Sequence, residues 1–236
     1  MNKPVQFSAK LADKKILNDK FEQYFFEVVQ PHHLPFTAGQ YVSIKVSDLG
    51  ERRSYSLASS SAIDHGFELL VDVSPQGLGT KYLQSLKFGQ EIAALGPLGV
   101  FTISDSPAEK QLALVATGSG IAPFRSMILE LLQQKNDPRE ITLYWGMRHA
   151  AQLFWMDELQ ELADAFPQFH FHPTLSQAPT EWPLCRGRVT DCVSHHPIKP
   201  DTGYYLCGNS AMMADMMSFL KANDVPDSLL HIEKFT

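Results

Sequence analysis

Three strings in this chain combine residue types that could do chemistry. Gly118-Ser119-Gly120-Ile121-Ala122-Pro123 follows the apolar run 112–116, with Thr117 between them, and opens a segment of helical periodicity. A glycine-rich turn into a helix lets the backbone approach a pyrophosphate, and the helix amino terminus offers unpaired N–H groups with a favourable dipole. Pro123, near the first turn, costs no hydrogen bond there. It also stands where the third glycine of GxGxxG would be, so a plain strand-to-helix connection stays open as the alternative. Tyr205-Leu206-Cys207-Gly208-Asn209 is a second glycine-bearing strand end. In open parallel sheets, ligands lie beyond the carboxyl ends of strands where the strand order reverses. If the order is third, second, first, fourth, fifth, Thr117 and Cys207 end neighbouring strands and face one crevice. A lone cysteine is otherwise most often a buried small hydrophobe.

The third string, Arg52-Arg53-Ser54-Tyr55-Ser56-Leu57-Ala58-Ser59, mixes cations, an aromatic and hydroxyls on a strand. Strand alternation sends Arg53 and Tyr55 to one face and Ser54 and Ser56 to the other. A guanidinium and a phenol on one face suit a ligand with a phosphate and a flat ring; a solvated strand with an exposed Arg is the plainer alternative. Downstream, Gly77-Leu78-Gly79-Thr80 is another glycine turn entering a short helix, a possible second phosphate cradle.

Two kinds of element must position these strings. Up to about Ile103, short β-rich runs (24–29, 41–46, 54–58, 68–73, 91–95) alternate with Gly and Pro turns, the rhythm of a small antiparallel barrel. The polar segment 104–110 follows, and beyond it apolar strands (111–116, 140–145, 169–175, 204–207, 229–232) alternate with amphipathic helices, the signature of parallel βαβ units. Ile121, Phe124, Ile128, Leu131 and Leu132 lie at roughly helical spacing and should be core. The expected fold is two-domain, β + α/β: an antiparallel Greek-key β-barrel over residues 1–105, then a five-stranded parallel α/β domain over 106–236.

Composition narrows the function classes. The 236 residues suffice for two domains with their own cores, and 44% are hydrophobic. A net charge of −6 with no basic run argues against nucleic acid as a partner. No stretch has the length of a membrane span and the amino terminus has no signal-peptide core, so a cytoplasmic location is expected. The three cysteines, Cys185, Cys192 and Cys207, lack CxxC spacing and fit a reducing compartment better than a disulfide framework. They are too few for an iron–sulfur cluster held in the usual way by four thiolates. The nine histidines include His170 and His172 on one strand face, but no third ligand is evident and no metal is expected. Ser119 does not sit in the GxSxG of a hydrolase elbow.

Taken in order, these segments resemble the ferredoxin-NADP reductase superfamily, in its NAD(P)H:flavin reductase and bacterial ferredoxin reductase branches, over most of the chain. Arg53-Ser54-Tyr55-Ser56 is similar to that family's RxYS flavin motif, and Gly77-Leu78-Gly79-Thr80 to its turn over the flavin phosphates. Gly96-Pro97-Leu98-Gly99 with Phe101 resembles the GPxGxF segment closing the barrel. Gly118–Pro123 resembles the nucleotide pyrophosphate loop, Gly146-Met147-Arg148 the strand-end GxR, and Cys207-Gly208-Asn209 the nicotinamide-side CGN. The resemblance implies an NAD(P)H-dependent flavoprotein reductase with FAD, or alternatively FMN, and NADH or NADPH as substrate.

By that resemblance the flavin residues are Arg53, Ser54, Tyr55, Ser56, Val71, Val73, Gly77, Gly79, Thr80 and Phe235. The nucleotide residues are Thr117, Gly118, Gly120, Pro123, Arg148, Ser176, Gln177, Arg188, Cys207, Gly208 and Asn209. Ser56, Cys207 and Glu233 are implied at the reacting atoms, Ser56 and Cys207 orienting and polarising across the domain interface rather than attacking. Gln177 stands where NADPH-using relatives commonly offer Arg, which leans the preference to NADH, although Arg148, Arg186 and Arg188 could reach a 2′-phosphate. The expected partners are the nicotinamide nucleotide and an acceptor such as ferredoxin, flavodoxin or free flavin, with the chain a monomer. A free-flavin reductase, or an electron-transfer subunit or redox-sensing module with little activity of its own, remain alternatives.

Overall fold

Six strands form the first sheet. They are β1 (Val5–Ile16), β2 (Phe21–Gln30), β3 (Tyr41–Lys45), β4 (Arg52–Ser56), β5 (Gly66–Asp72) and β6 (Glu91–Leu98), paired antiparallel in the order β4-β3-β6-β1-β2-β5. In β2, β3 and the first half of β1, buried residues alternate with more exposed ones at period two. The computed structural model describes residues 3–234. An antiparallel bridge from Leu57, just past β4, to Leu69 on β5 brings the sheet close to a closed barrel. With β6 beside β1 and β5 beside β2, these four strands follow the Greek-key order. Tyr24, Phe26 and Val28 of β2 point into the core, where Phe26 stacks on Phe67 at 5.4 Å between ring centroids. Helix α1 (Leu78–Ser85) buries Leu83 in the same cluster.

Helix α2 (Ile121–Leu129) continues into a π-helical turn, Glu130–Gln134, and from Ala122 to Asn136 it belongs to the barrel's compact unit. Its periodic residues Phe124, Ile128, Leu131 and Leu132 are buried, as their spacing predicts. Polar pairs fix it: the Arg125 guanidinium donates to the Ala58 carbonyl at 2.7 Å and pairs with Glu68, while the buried Glu130 accepts from the Ala38 N–H at 3.2 Å and from the Ser61 hydroxyl.

Ser104–Ile121 and the residues from Asp137 onward form the second unit. Its strands are β7 (Gln111–Thr117), β8 (Glu140–Met147), β9 (Phe169–Leu175), β10 (Cys185–Arg186), β11 (Thr202–Gly208) and β12 (Leu230–Lys234), all parallel, in the order β10-β9-β8-β7-β11-β12. The five expected strands lie in the expected order, but the count is six. The addition is β10, whose two residues pair with Thr174 and Leu175 at the sheet edge. The remaining helices are α3 (Met156–Ala165), α4 (Val189–Ser194) and α5 (Ser210–Ala222). Met212, Met213 and Met216 of α5 are buried in the cluster that includes Val115 and Leu206, so the methionine run is packing.

The expectation that the chain lacks disulfides is corrected here. The turn from β10 into α4 brings the Cα atoms of Cys185 and Cys192 to 5.8 Å, and the two are bonded; Cys207 is free and buried.

Candidate functional site

In the first unit, Gly79 holds the key position. A Cβ there would overlap the Tyr55 hydroxyl and fall 2.8 Å from Arg53 Cγ, so only a bare backbone lets α1 begin against β4. Arg53 and Tyr55 thus share one face, as alternation requires, and both lie beside the amino terminus of α1. Gly77, the extended N-cap residue, has no side chain to cap the helix, and a Cβ on it would meet nothing within 4 Å. The first intrahelical bond runs from the Lys81 N–H to the Gly77 carbonyl at 3.0 Å, which leaves the N–H groups of the first turn without helical partners. An exposed guanidinium, an open glycine and a helix amino terminus on one side of a strand fit a phosphate, and the adjoining Tyr55 face fits a flat ring. Burial pushes the Tyr55 phenol up to about 12, with the Arg53 charge acting the other way, so the ring stays neutral.

The other barrel residues divide by burial. Thr80 is buried and its hydroxyl reaches the Asp72 carbonyl at 3.4 Å, tying α1 to the end of β5. Val71 and Val73 point into the core, so they can offer a ligand only backbone, and the Val73 carbonyl already accepts from the Gln76 amide at 2.8 Å. Ser54 is exposed on β4, whereas Ser56 is buried opposite Tyr41 of β3.

In the second unit, β7 and β11 are neighbours, with Cys207 in register with Ala116. Gly118 adopts φ +57°, a left-handed value that glycine takes without strain, and its carbonyl accepts from the Trp145 indole at 3.0 Å. At Gly120 a Cβ would overlap the Cys207 carbonyl oxygen and lie 3.1 Å from Gly208 Cα. A Cβ on Gly208 would in turn overlap the Thr117 hydroxyl. The two glycine-bearing strand ends are therefore packed backbone to backbone. Asn209 links them, its N–H and amide Nδ2 each donating to Thr117 Oγ1 at 3.3 Å while its Oδ1 caps α5 by accepting from the Met212 N–H at 2.9 Å. Pro123 sits in the first turn of α2.

Cys207 is fully buried and faces Glu233 in the register of β11 with β12. Burial, with a smaller contribution from the Glu233 charge, pushes its thiol well above the usual cysteine value. It is a neutral, weakly polar group rather than a thiolate. Phe235 lies outside the described residues.

The remaining predicted residues gather at the carboxyl ends of β8 and β9. The Gln177 N–H donates to the Arg148 carbonyl at 2.9 Å and the Ser176 N–H to the Met147 carbonyl at 3.0 Å. A cleft of about 510 Å3 beside them is lined by Ser176, Gly187, Arg188, Thr190, Asp191 and Asp215. Arg188 Nη1 pairs with Asp215 at 2.8 Å, and the Arg188 N–H donates to Asp191 Oδ2 at 2.7 Å. The two aspartates were not foreseen: each is an ordinary helix acid, and only the folded chain brings Asp215 to an arginine 27 positions earlier. No helix among the described residues is long and apolar enough to cross a membrane.

Residues 8–103 match the oxidoreductase FAD-binding domain and residues 114–218 the oxidoreductase NAD-binding domain. The reductase component of propane 2-monooxygenase from Mycolicibacterium goodii is 33% identical over 215 residues, spanning 88% of this chain and 61% of that protein. The reductase component of phenol 2-monooxygenase from Pseudomonas sp. strain CF600 is 34% identical over 207 residues, spanning 86% and 58%. The chain thus spans about three fifths of the length of the curated relatives it matches. Among solved structures, the Amycolatopsis cytochrome P450 reductase superposes with a TM-score of 0.89 at 30% identity, over 99% of this chain and 70% of that one. A ferredoxin NADP+ reductase from Neisseria gonorrhoeae, at 21% identity and a TM-score of 0.82 over 97% and 98%, shares the fold. The chain belongs to the ferredoxin-NADP reductase superfamily of oxidoreductases, with an FAD-binding domain followed by an NAD-binding domain.

Proposed function

We propose that the chain is a flavin-dependent reductase that draws hydride from NAD(P)H and hands electrons to a separate acceptor, residues 1–105 holding FAD and residues 106–236 the nucleotide. The observation that carries this reading is the backbone packing of Gly120 on Cys207, with Asn209 bound to Thr117, at the reversal of a parallel sheet. FAD, when bound, would supply the redox chemistry, accepting a hydride and releasing electrons singly. The protein's task is then to bind, orient and exclude water.

In this reading Arg53 pairs with a flavin phosphate, Gly77, Gly79 and Thr80 present the first-turn N–H groups of α1, and Tyr55 packs on the ring system. Ser54, Val71 and Val73 border the same ligand. Thr117, Gly118, Gly120, Pro123, Gly208 and Asn209 take the pyrophosphate and nicotinamide side; Arg148, Ser176, Gln177 and Arg188 take the adenosine side. Ser56, Cys207 and Glu233 are assigned to polarise and position the reacting rings. NADH is the favoured nucleotide, because Arg188 is already paired with Asp215 and flanked by Asp191, and a 2′-phosphate would meet those carboxylates.

Relatives named as reductase or electron transfer components of mono- and dioxygenases favour an oxygenase component, or a ferredoxin-type carrier serving one, as the acceptor; flavodoxin or free flavin would use the same chemistry. A cytoplasmic monomer fits a chain that draws on NAD(P)H. The test is the absorption spectrum of the purified chain, taken without oxygen before and after NADH or NADPH, with release and identification of the flavin. A flavin band that bleaches is expected. A colourless chain that reduces added riboflavin would instead make the flavin a substrate, and a flavin-bound chain inert toward NADH, NADPH and dyes would make it a module.

A further inference from the structure

Cys185 and Cys192 take no part in the reading above, yet they bracket part of the nucleotide side. Cys185 ends up on the two-residue edge strand β10, held to the sheet through Thr174 and Leu175. Cys192 lies on α4, six residues long, and is fully buried in the cluster with Val115, Tyr144 and Leu206. Their bond spans seven positions. Within that span lie Arg186, Gly187 and Arg188, with Gly187 in the left-handed region at φ +95°.

The other restraints on this turn are the Arg188–Asp215 ion pair, the packing of Val189 and Val193, and hydrogen bonds. The Gly187 N–H donates to the Leu175 carbonyl at 3.0 Å, the Trp182 indole to the Cys185 carbonyl at 3.1 Å, and the Arg188 N–H to Asp191 at 2.7 Å. Gly187, Arg188 and Asp191 line the 510 Å3 cleft together with Ser176 and Asp215. A covalent tie between a two-residue strand and a one-and-a-half-turn helix thus joins the wall of that cleft directly to a residue of the buried core. The two sulfurs differ in access, Cys192 being enclosed and Cys185 half-buried.

We propose that Cys185 and Cys192 form a reversible thiol–disulfide site, and that the bonded form pre-orders the 186–188 turn for the nucleotide. This rests on the assignment of Arg188 and Ser176 to the nucleotide. Reduction begins when the thiolate of a small dithiol attacks Cys185 Sγ; the S–S bond breaks and Cys192 leaves, taking a proton. The second thiol of the reductant then displaces Cys185, so the protein ends as a dithiol and the reductant as a cyclic disulfide. A small-molecule disulfide runs the exchange in reverse. In the reduced form β10 and α4 are no longer tied, and nucleotide binding must order the turn and its long side chains anew. Ordering one or two such side chains corresponds to a loss of affinity of about three- to tenfold.

The test uses the full chain loaded with FAD, treated either with oxidised glutathione or with dithiothreitol, desalted, and divided. One portion is alkylated and weighed by mass spectrometry; the other is titrated with NAD+ and NADP+, oxidised nucleotides that leave the flavin untouched. Expected after unfolding are one alkyl group, on Cys207, in the oxidised chain and three in the reduced chain, together with tighter NAD+ binding by the oxidised form. C185S, which changes the half-buried partner, should bind at the weaker value after either treatment. The proposal fails if the pair remains alkylatable after oxidation, or if both forms bind NAD+ equally. If the bond forms but neither nucleotide binds in either state, the nucleotide assignment falls and the coupling falls with it.

Discussion

Replacing Gly120 with Ala puts one methyl group where the structure has no room. The new Cβ would overlap the Cys207 carbonyl oxygen, approach its carbon to 2.7 Å and lie 3.1 Å from Gly208 Cα. All three are backbone atoms of β11 and the turn beyond it, so no side chain can swing aside. Either the Gly118–Gly120 turn or the end of β11 must shift, and overpacking of this kind costs about 1–3 kcal/mol. If the nucleotide binds on these strand ends, the shift also separates the turn from Asn209, which Thr117 now holds at 3.3 Å. The same 1–3 kcal/mol, appearing in binding, is a loss of about 5- to 150-fold. The assay is titration of the FAD-loaded variant with NAD+, alongside rapid-mixing measurement of flavin reduction by NADH, with flavin content confirmed from the absorption spectrum. The control is the parent chain, prepared and loaded with FAD in the same way. A folded, flavin-replete G120A with unchanged NAD+ affinity would refute the reasoning that this contact shapes the nucleotide site.

The mirror experiment is G79A, whose Cβ collides with the Tyr55 hydroxyl and with Cγ of Arg53; it should lose flavin on dialysis faster than the parent, and full flavin retention would count against the proposed cradle. Glu130 supplies a pH prediction. Burial raises its pKa, but hydrogen bonds from Lys135, Ser61 and the Ala38 N–H outweigh that, and the carboxyl is held below its ordinary value of 4.5. A folded-state value below the unfolded one means the stabilisation is complete above the unfolded value and disappears as pH falls through the lower folded value. E130Q should therefore flatten the acid limb of a plot of melting temperature between pH 3 and 7, and an unchanged limb would remove Glu130 as a cause of acid unfolding. D215N frees Arg188 from a partly exposed pair, worth about 0.2–1 kcal/mol. It should raise the affinity for NADP+ relative to NAD+ by a few-fold in paired titrations; a ratio that does not move would place the 2′-position elsewhere.

How much of this was legible in the sequence depended on whether the signal was local. The glycine turns could be read because a strand end, a bare backbone and a helix start are neighbours in the chain, whereas the order β9-β8-β7-β11-β12 entered only as a condition, which the sheet meets. β1 went unassigned because only its first half alternates cleanly. Phe7, Ala9 and Leu11 are buried, but Asp13, Lys14 and Lys15 are charged and its register against β2 slips twice. The spacing of Phe124, Ile128, Leu131 and Leu132 announced a buried helix face without saying what covers it. Nor does it announce the polar ties of the same helix to the barrel, Arg125 on Ala58 and Glu130 on Ala38, contacts 67 and 92 positions apart that no local pattern encodes. β10 and the Cys185–Cys192 bond escaped notice for a related reason: two residues carry no periodicity, and spacing alone does not say that a turn will bring two sulfurs together.

Cys207 illustrates how the structure changes the meaning of a motif without moving it. As a string, Cys-Gly-Asn invites a role for the sulfur. In the fold the residue is pinned on both sides by backbone: β7 pairs with it at Ala116, β12 at Glu233, and Gly120 closes on its carbonyl. Its thiol is held neutral by burial and by the Glu233 charge, so it cannot serve as a base or a nucleophile at ordinary pH. What the position can offer a ligand is shape: a small, weakly polar side chain at the end of a strand whose neighbours on either side fix it in place. Chemistry that needs only two rings brought together and dried asks for that kind of residue, and the acid–base groups that would contradict it are absent from its immediate strand neighbours, Glu233 excepted. Glu233, half-buried in register with the thiol, adds its charge to the burial that keeps the proton on Cys207.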